Sequence, residues 1–414
     1  MATILIYTSP ARGHLFPILG PALELHSQGH DVHVLTLSSE VERVHSFGLK
    51  AEAIATAVES REMDDWKAKS PMGAIERAMS TFGDRSVSEV DDLQNAIRRI
   101  NPDVLVIDTN SWGAQAVAEK SGLPWAMFQP YFTYLPSSGV PPFGPGLPRL
   151  TNPAGKVRDA VLRKLIFSKL NKLALPKLNS VRTNLGLEPL KNLTEMLFKP
   201  DIVLYFTSKE LEYPREDWPD HFRFVGPGLW APKSDTPSWL NDTNHDVALV
   251  TCSTERQSDK FIVEAALKSL PEEGFFVVAT SAAYEPSEFE TGSQPNVRLE
   301  RFIPHEPVVR RASVVICHGG MGITQRALSH GVPVVIIPFG RDQLEVARRV
   351  EYAGAGVRLM PKKLNSDSMQ KAVRQAMEKR DGANHISLSL NAAGNDKKTA
   401  SLISELKKPV LQKI

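Results

Sequence analysis

Short, almost wholly apolar runs recur along the entire chain, and a helix-length segment separates most of them from the next. Runs of this kind have no wet face, so their alternation with helices points to parallel strands covered on both sides. In the first half the runs are residues 3–8, 31–36, 104–107, 124–129 and 201–206. In the second they are 246–251, 275–279, 297–300, 314–317 and 334–337. Apolar residues at helical spacing fill 17–28, which stops at Gly29, and a further helix is expected over 112–121. Residues 136–153 are rich in Pro and Gly and read as loop. The run at 201–206 is expected to close the first sheet, and the stretch from Val225-Gly226-Pro227-Gly228 to Pro237 reads as a linker. The expected fold class is therefore α/β, with two facing doubly wound Rossmann-like domains over residues 1–227 and 228–386. Ligands of open parallel sheets bind at the carboxyl ends of strands, so the cleft between the domains is the expected site.

Composition removes several classes of function. The 414 residues carry 49 basic and 47 acidic side chains, a net charge of +2, with no basic face of the kind nucleic acid needs. Cys252 and Cys317 are far apart and lie in or beside strand-like runs, so they read as small buried hydrophobes rather than a disulfide, in keeping with a cytoplasmic protein. No apolar stretch reaches the roughly 18 residues of a membrane span, and the first residues lack the features of a signal peptide. There is no Asp-x-Asp pair and no His/Cys cluster at metal-ligand spacing, so neither a metal nor another cofactor is expected. Residues 156–175 mix Lys, Arg and Leu. They read as an amphipathic helix with a solvated basic face, or as a helix lying on a membrane or covering a bound molecule.

The densest chemical signal is Val314-Val315-Ile316-Cys317-His318-Gly319-Gly320-Met321-Gly322-Ile323-Thr324. A strand runs into a His and a glycine run, and a helix begins at about Gly322. Glycines let the backbone approach a ligand, and the amides of a helix start favour an anion. His318-Gly319-Gly320, then Gly331-Val332-Pro333, Pro338 and Asp342-Gln343, preceded by Phe302-Ile303-Pro304-His305, resembles the donor signature of the family 1 nucleotide-sugar glycosyltransferases, and among them the bacterial macrolide and antibiotic branch. The resemblance implies the GT-B fold, with residues 387–414 forming a helical segment that crosses back to the first domain. It implies that Phe302 stacks on the nucleobase and the Ile303 backbone reads its edge. His318, Gly319, Gly320 and the start of the helix at Gly322 would hold the diphosphate, and Asp342 and Gln343 the sugar hydroxyls. Ser253 and Thr254, after the run at 246–251, match a second phosphate site, with Ser253 where the family has glycine.

Three positions depart from that pattern. Ile323 stands where a phosphate-binding Ser is common, which leaves Thr324 as a substitute. Arg326 replaces the usual ribose-binding Glu and leaves room for a deoxyribose nucleotide such as a thymidine diphosphate sugar. Val346 replaces an Asn found shortly after the Asp-Gln pair.

His14, in Ser9-Pro10-Ala11-Arg12-Gly13-His14-Leu15-Phe16-Pro17, follows the first strand and would face the cleft. The resemblance makes it the general base and Asp108, at the end of another strand, its orienting acid. A neutral imidazole suits a hydroxyl that becomes acidic only as its new bond forms. Phe128, Tyr131 and Phe132, with Tyr134, are candidates for the wall of an apolar acceptor pocket. The expected activity is inverting transfer of a hexose from a nucleoside diphosphate sugar to a hydroxyl of a small apolar acceptor, without a metal. A noncatalytic auxiliary protein of the same fold, a sugar-nucleotide epimerase and a lipid or sterol glycosyltransferase are the competing readings, and monomer and homodimer both stay open.

Overall fold

A computed structural model describes residues 1–68, 70–232, 234–254, 257, 259–290 and 294–407. Among them, one sheet contains β1 (Thr3–Tyr7), β2 (Asp31–Thr36), β3 (Lys50–Ala53), β4 (Val104–Asp108), β5 (Trp125–Gln129), β6 (Ile202–Tyr205) and β7 (Phe222–Phe224), in the order β3-β2-β1-β4-β5-β6-β7. A second contains β8 (Val247–Thr251), β9 (Phe276–Thr280), β10 (Val297–Glu300), β11 (Ala312–Cys317), β12 (Val334–Ile336) and β13 (Gly356–Arg358), in the order β10-β9-β8-β11-β12-β13. All neighbouring strands are parallel. The longer helices are α1 (Arg12–Ser27), α2 (Pro71–Ile100), α3 (Trp112–Ser121), α4 (Pro153–Asn184), α5 (Lys260–Ser269), α6 (Met321–Ser329), α7 (Gln343–Tyr352), α8 (Ser366–Met377), α9 (Arg380–Ala393) and α10 (Asp396–Ser404). This is the α/β, doubly wound GT-B architecture. Every residue of β4, β5, β8 and β9 is buried, as runs without polar alternation require.

Three strands escape the sequence pattern: β3, β7 and β13. All are sheet edges of three or four residues, and an edge needs no continuous apolar run. The run at 201–206 therefore does not close its sheet, because β7 pairs beyond it. The first helix starts at Arg12, not at 17, and holds Pro17 and Pro21 within it. His14 thus stands on the first helical turn instead of in a loop.

The segment expected over 387–414 is two helices, α9 and α10, parted at Gly394-Asn395; its residues 408–414 lie outside the described ones. Ala400 and Ile403 of α10 join Leu15, Ile18 and Ala22 of α1 in one apolar cluster, so the chain returns to the first sheet. In α4, Ile166, Leu170, Ala174 and Leu178 are buried while Val157, Val161 and Leu165 are exposed. No described helix is long and apolar enough to cross a membrane.

Both sheets reverse winding direction once, at β1/β4 and at β8/β11. The crevice outside the carboxyl ends of strands at such a switch point is where doubly wound sheets bind ligands. His14 follows β1 and Asp108 ends β4; Ser253 and Thr254 follow β8 and His318 follows β11.

Candidate active site

The register pairs Tyr7 with Ile107, so the end of β4 stands beside the start of α1. There His14 Nδ1 lies 2.8 Å from Asp108 Oδ2. Asp108 is fully buried, and its other oxygen accepts from the Asn110 backbone amide at 2.7 Å. The Gln115 side chain donates to the carbonyls of Asp108 and Thr109, 2.9 Å each, which fixes the turn into α3. Asn110 Nδ2 lies 3.3 Å from His14 Nε2, and the Tyr131 hydroxyl donates to Asn110 Oδ1 at 2.7 Å. Tyr131 also meets the imidazole edge to face, with ring centroids 6.1 Å apart. Burial pushes the Tyr131 phenol well above its ordinary value, with Tyr134, Asp108 and Asp342 adding to it.

On the other side of the cleft, β11 delivers His318-Gly319-Gly320 to the start of α6. Gly319 has φ 99°, and a Cβ there would fall 2.7 Å from Ile336 Cγ2. A Cβ at Gly320 would fall 2.7 Å from His318 Nε2, so only glycine lets the imidazole lie against the loop. The first turn of α6 has neither a side-chain cap nor an acidic residue. Its leading amides and helix dipole favour an anion. His318 is 8% exposed, and its Nδ1 has no hydrogen-bond partner among the described residues. Burial, helped by Arg341, lowers its pKa to about 4 and keeps the ring neutral. Gly322 has open space where a Cβ would stand, and Phe302 is 74% exposed, a free aromatic face. Ile303 beside it is buried, and Thr254 is exposed.

Asp342 lies near enough to His14 of the first unit to feel its charge. Its side chain makes no cap bond to α7. Burial raises its carboxyl to about 6, against the pull of its own amide, Arg341 and His14. Its neighbour Arg341 spans the cleft to Asp65, Nε to Oδ2 at 2.9 Å and the second nitrogen to Oδ1 at 3.0 Å.

Several expected side chains are placed elsewhere. Phe128 and Phe132 are fully buried in the cores, not on a pocket wall; Phe132 lies under the Arg349 guanidinium at 4.5 Å. Of that trio only Tyr131 reaches the cleft groups. Thr324 is fully buried one turn into α6, its hydroxyl 3.8 Å from Cys317 Sγ, and so faces β11 rather than the glycine loop. Gln343 is 1% exposed; its Oε1 accepts from the amides of Phe339 and Gly340, and its Nε2 donates to Gln257. Gln257 donates in turn to Ser253 Oγ at 2.8 Å. The Gln343 amide, expected to meet sugar hydroxyls, is thus engaged within the protein, and with Gln257 and Ser253 it ties the loops after β12 and β8 together. Arg326 pairs with Glu306 and donates to the Leu229 carbonyl at 2.8 Å, turned toward the linker.

Asn110, Gln257, Asp65 and Arg341 were not singled out from the sequence. Of these only Asn110 carried a readable signal, a second hydrogen-bonding side chain in the turn after the strand-end acid. The others depend on contacts between distant segments.

Residues 277–397 match the family described as the C-terminal domain of erythromycin biosynthesis protein CIII-like proteins. The 4'-demethylrebeccamycin synthase of Lentzea aerocolonigenes is 31% identical over 390 residues, 91% of this chain and 92% of its own length. The crystal structure of the glycotransferase of kitacinnamycin superposes with a TM-score of 0.75 at 22% identity, covering 98% of this chain and 99% of that one. The glycosyltransferase VinC, crystallised in complex with dTDP, superposes with a TM-score of 0.72 at 18% identity over 98% of this chain and 99% of its own.

Proposed function

This chain belongs to the family 1 natural-product glycosyltransferases of GT-B fold, and from that premise we propose that it is an inverting enzyme in which His14 is the general base. The donor is a nucleoside diphosphate sugar, a reading supported by the dTDP held by VinC. The acceptor is a small, largely apolar molecule with a free hydroxyl.

The observation that carries the proposal is the His14–Asp108 pair at 2.8 Å, set at the switch point of the first sheet. A carboxylate on Nδ1 leaves the lone pair on Nε2, the nitrogen directed away from Asp108. In the proposed step Nε2 takes the acceptor proton as the acceptor oxygen bonds to the anomeric carbon. The bond from that carbon to the diphosphate oxygen breaks, and its electrons leave with the nucleoside diphosphate. The amides at the start of α6 and the His318 ring stabilise the charge that develops there. Asp342 accepts from sugar hydroxyls. One displacement inverts the anomeric centre, so an α-linked donor gives a β-glycoside.

Removing a positioned general base costs about 10²–10⁴-fold. His14→Ala is therefore expected to lower kcat by at least about 10²-fold with little change in the melting temperature, and NMR of the wild-type product should show an inverted anomeric proton. Near-normal transfer by the variant, or retention of configuration, would refute the assignment.

A further inference from the structure

The turn after β4 does more than present Asp108. Its residue Asn110 reaches His14 Nε2, the nitrogen that has to receive the acceptor proton. The direction of that contact is set by the far end of the amide. Tyr131 is a half-buried residue and donates its hydroxyl proton to Asn110 Oδ1. With Oδ1 engaged there, the NH₂ group faces the imidazole. Tyr131 cannot easily drift away: its carbonyl accepts from Gln129 Nε2 at 3.1 Å, and Gln129 Oε1 accepts from Thr109 Oγ1 at 2.9 Å. The backbone of Asn110 is held by Asp108 Oδ1. Both ends of the amide are thus fixed by groups of the adjacent strand ends of β4 and β5.

We propose that Asn110 and Tyr131 are positioning residues that lock His14 in the neutral tautomer with its lone pair on Nε2. This rests on the reading of His14 as the base and adds a second restraint to the one Asp108 supplies. Asp108 accepts at Nδ1, which a protonated imidazolium satisfies as well as a neutral ring. Only a donor at Nε2 tells the two apart, because an N–H on Nε2 would point at the N–H of the amide. The contact is long at 3.3 Å, so an arriving acceptor hydroxyl displaces it readily. After transfer, the same amide disfavours the imidazolium and speeds loss of its proton. Among the described residues, the titratable groups that face the ring include Asp108 from β4, Tyr131 from the segment after β5 and Asp342 at the head of α7. The nearby Arg12 is turned to Glu40.

The test reads His14 directly and needs no substrate. In the full chain labelled with ¹⁵N-histidine, long-range ¹H–¹⁵N correlations report tautomer and titration, the His14 signals being those lost in His14→Gln. The wild type is expected to show the Nδ1–H tautomer at pH 7. Asn110→Asp keeps the shape but turns a carboxylate toward Nε2, so the His14 titration should move up by about 1 unit or more. Tyr131→Phe frees the amide to rotate and should move it the same way by less. An Nε2–H tautomer in the wild type, or a titration that stays in place in Asn110→Asp, would overturn the lock; melting curves establish that each variant is folded. Asn110→Asp brings a charge of its own, so the discriminating variant is Tyr131→Phe, which adds none: a purely structural asparagine would leave the His14 titration of Tyr131→Phe at its wild-type position, and that result would overturn the lock. His14→Ala transfer is scored separately, so loss of the base reading with the tautomer result intact, or the reverse, identifies which of the two proposals fails.

Discussion

At the scale of single residues, Asp342 shows how the site sets stability against chemistry. Its carboxyl rises from the ordinary 3.8 to about 6, chiefly through burial. Between those two values the folded protein binds more protons than the unfolded chain, so stability falls as pH rises through that window, and the full cost is present above it. Asp342→Asn removes the buried charge. It should melt higher than the wild type at pH 7.5, and the difference should vanish near pH 4, where Asp342 is protonated in the folded protein. Donor binding runs the other way. If Asp342 accepts from sugar hydroxyls as proposed, the wild type loses that carboxylate as pH drops through about 6. Its donor KM should therefore rise toward that of Asp342→Asn, whose own KM stays flat across the same range. Calorimetry and initial rates over pH 4–8 check both halves, and a melting difference that ignores pH would contradict the account of Asp342.

At the scale of elements, the glycine loop between β11 and α6 separates two roles that glycine plays. Gly319 is required by the fold: its φ is 99°, and a side chain there would press on Ile336 in the core. Gly322 is not, because a Cβ there meets nothing within 4 Å. Gly319→Ala should lower stability by about 1–3 kcal/mol. Gly322→Ala should leave stability unchanged or raise it by up to about 1 kcal/mol through helix propensity. If the diphosphate of the donor occupies the open space, Gly322→Ala nevertheless raises the donor KM several-fold; an unchanged KM would move the phosphates elsewhere. The loop was legible in the sequence because a strand buried at all but one residue, β11, aims it and glycines mark it. His14 and Asp108 were legible for the same reason, each standing at the end of a loud apolar run. The direction of a side chain beyond such an end was not. The family resemblance implied that Thr324 and Gln343 were ligands, but one turn of helix carries Thr324 to face Cys317, and the amide of Gln343 is taken by backbone of its own loop and by Gln257. Phe128 and Phe132 were ambiguous between pocket and core, and nothing local distinguishes the two. Short edge strands such as β7 have no run to read at all.

At the scale of the whole molecule, α7 fastens the second sheet's unit to the first. Arg349, 2% exposed, pairs with Glu212 from the first unit and with Glu345 on its own helix, and it stacks on Phe132 and Tyr213 at 4.5 Å each. Glu345 also accepts from the amides of Gly144 and Gly146 at 2.8 Å, and Tyr205 donates to Glu212 at 2.7 Å. Burial alone would raise the Glu212 carboxyl, yet Arg349 and Arg215 bring it below its ordinary value, so its charge depends on those cations. Arg349→Met strands two buried carboxylates, a loss of about 3–5 kcal/mol. Arg349→Met with Glu212→Gln and Glu345→Gln removes both stranded charges; the amide at 345 keeps an oxygen for Gly144 and Gly146, while that at 212 keeps one for only the Tyr205 hydroxyl or the Tyr213 amide and leaves Arg215 without its carboxylate, so part of that loss should return. The Arg341–Asp65 pair crosses the same cleft but is different in kind, since Arg341 keeps about a quarter of its side chain in water. Asp65 itself is buried, so Asp65→Asn removes the buried charge and leaves a cation that is partly in water. Asp65→Asn should therefore barely change the melting temperature while raising the donor KM, because Arg341 adjoins Asp342. Denaturant melts and initial rates on the three variants separate a clasp that holds the units together from a latch that adjusts the cleft. Equal destabilisation by Arg349→Met and Asp65→Asn would erase that distinction, and so would failure of the triple variant to recover.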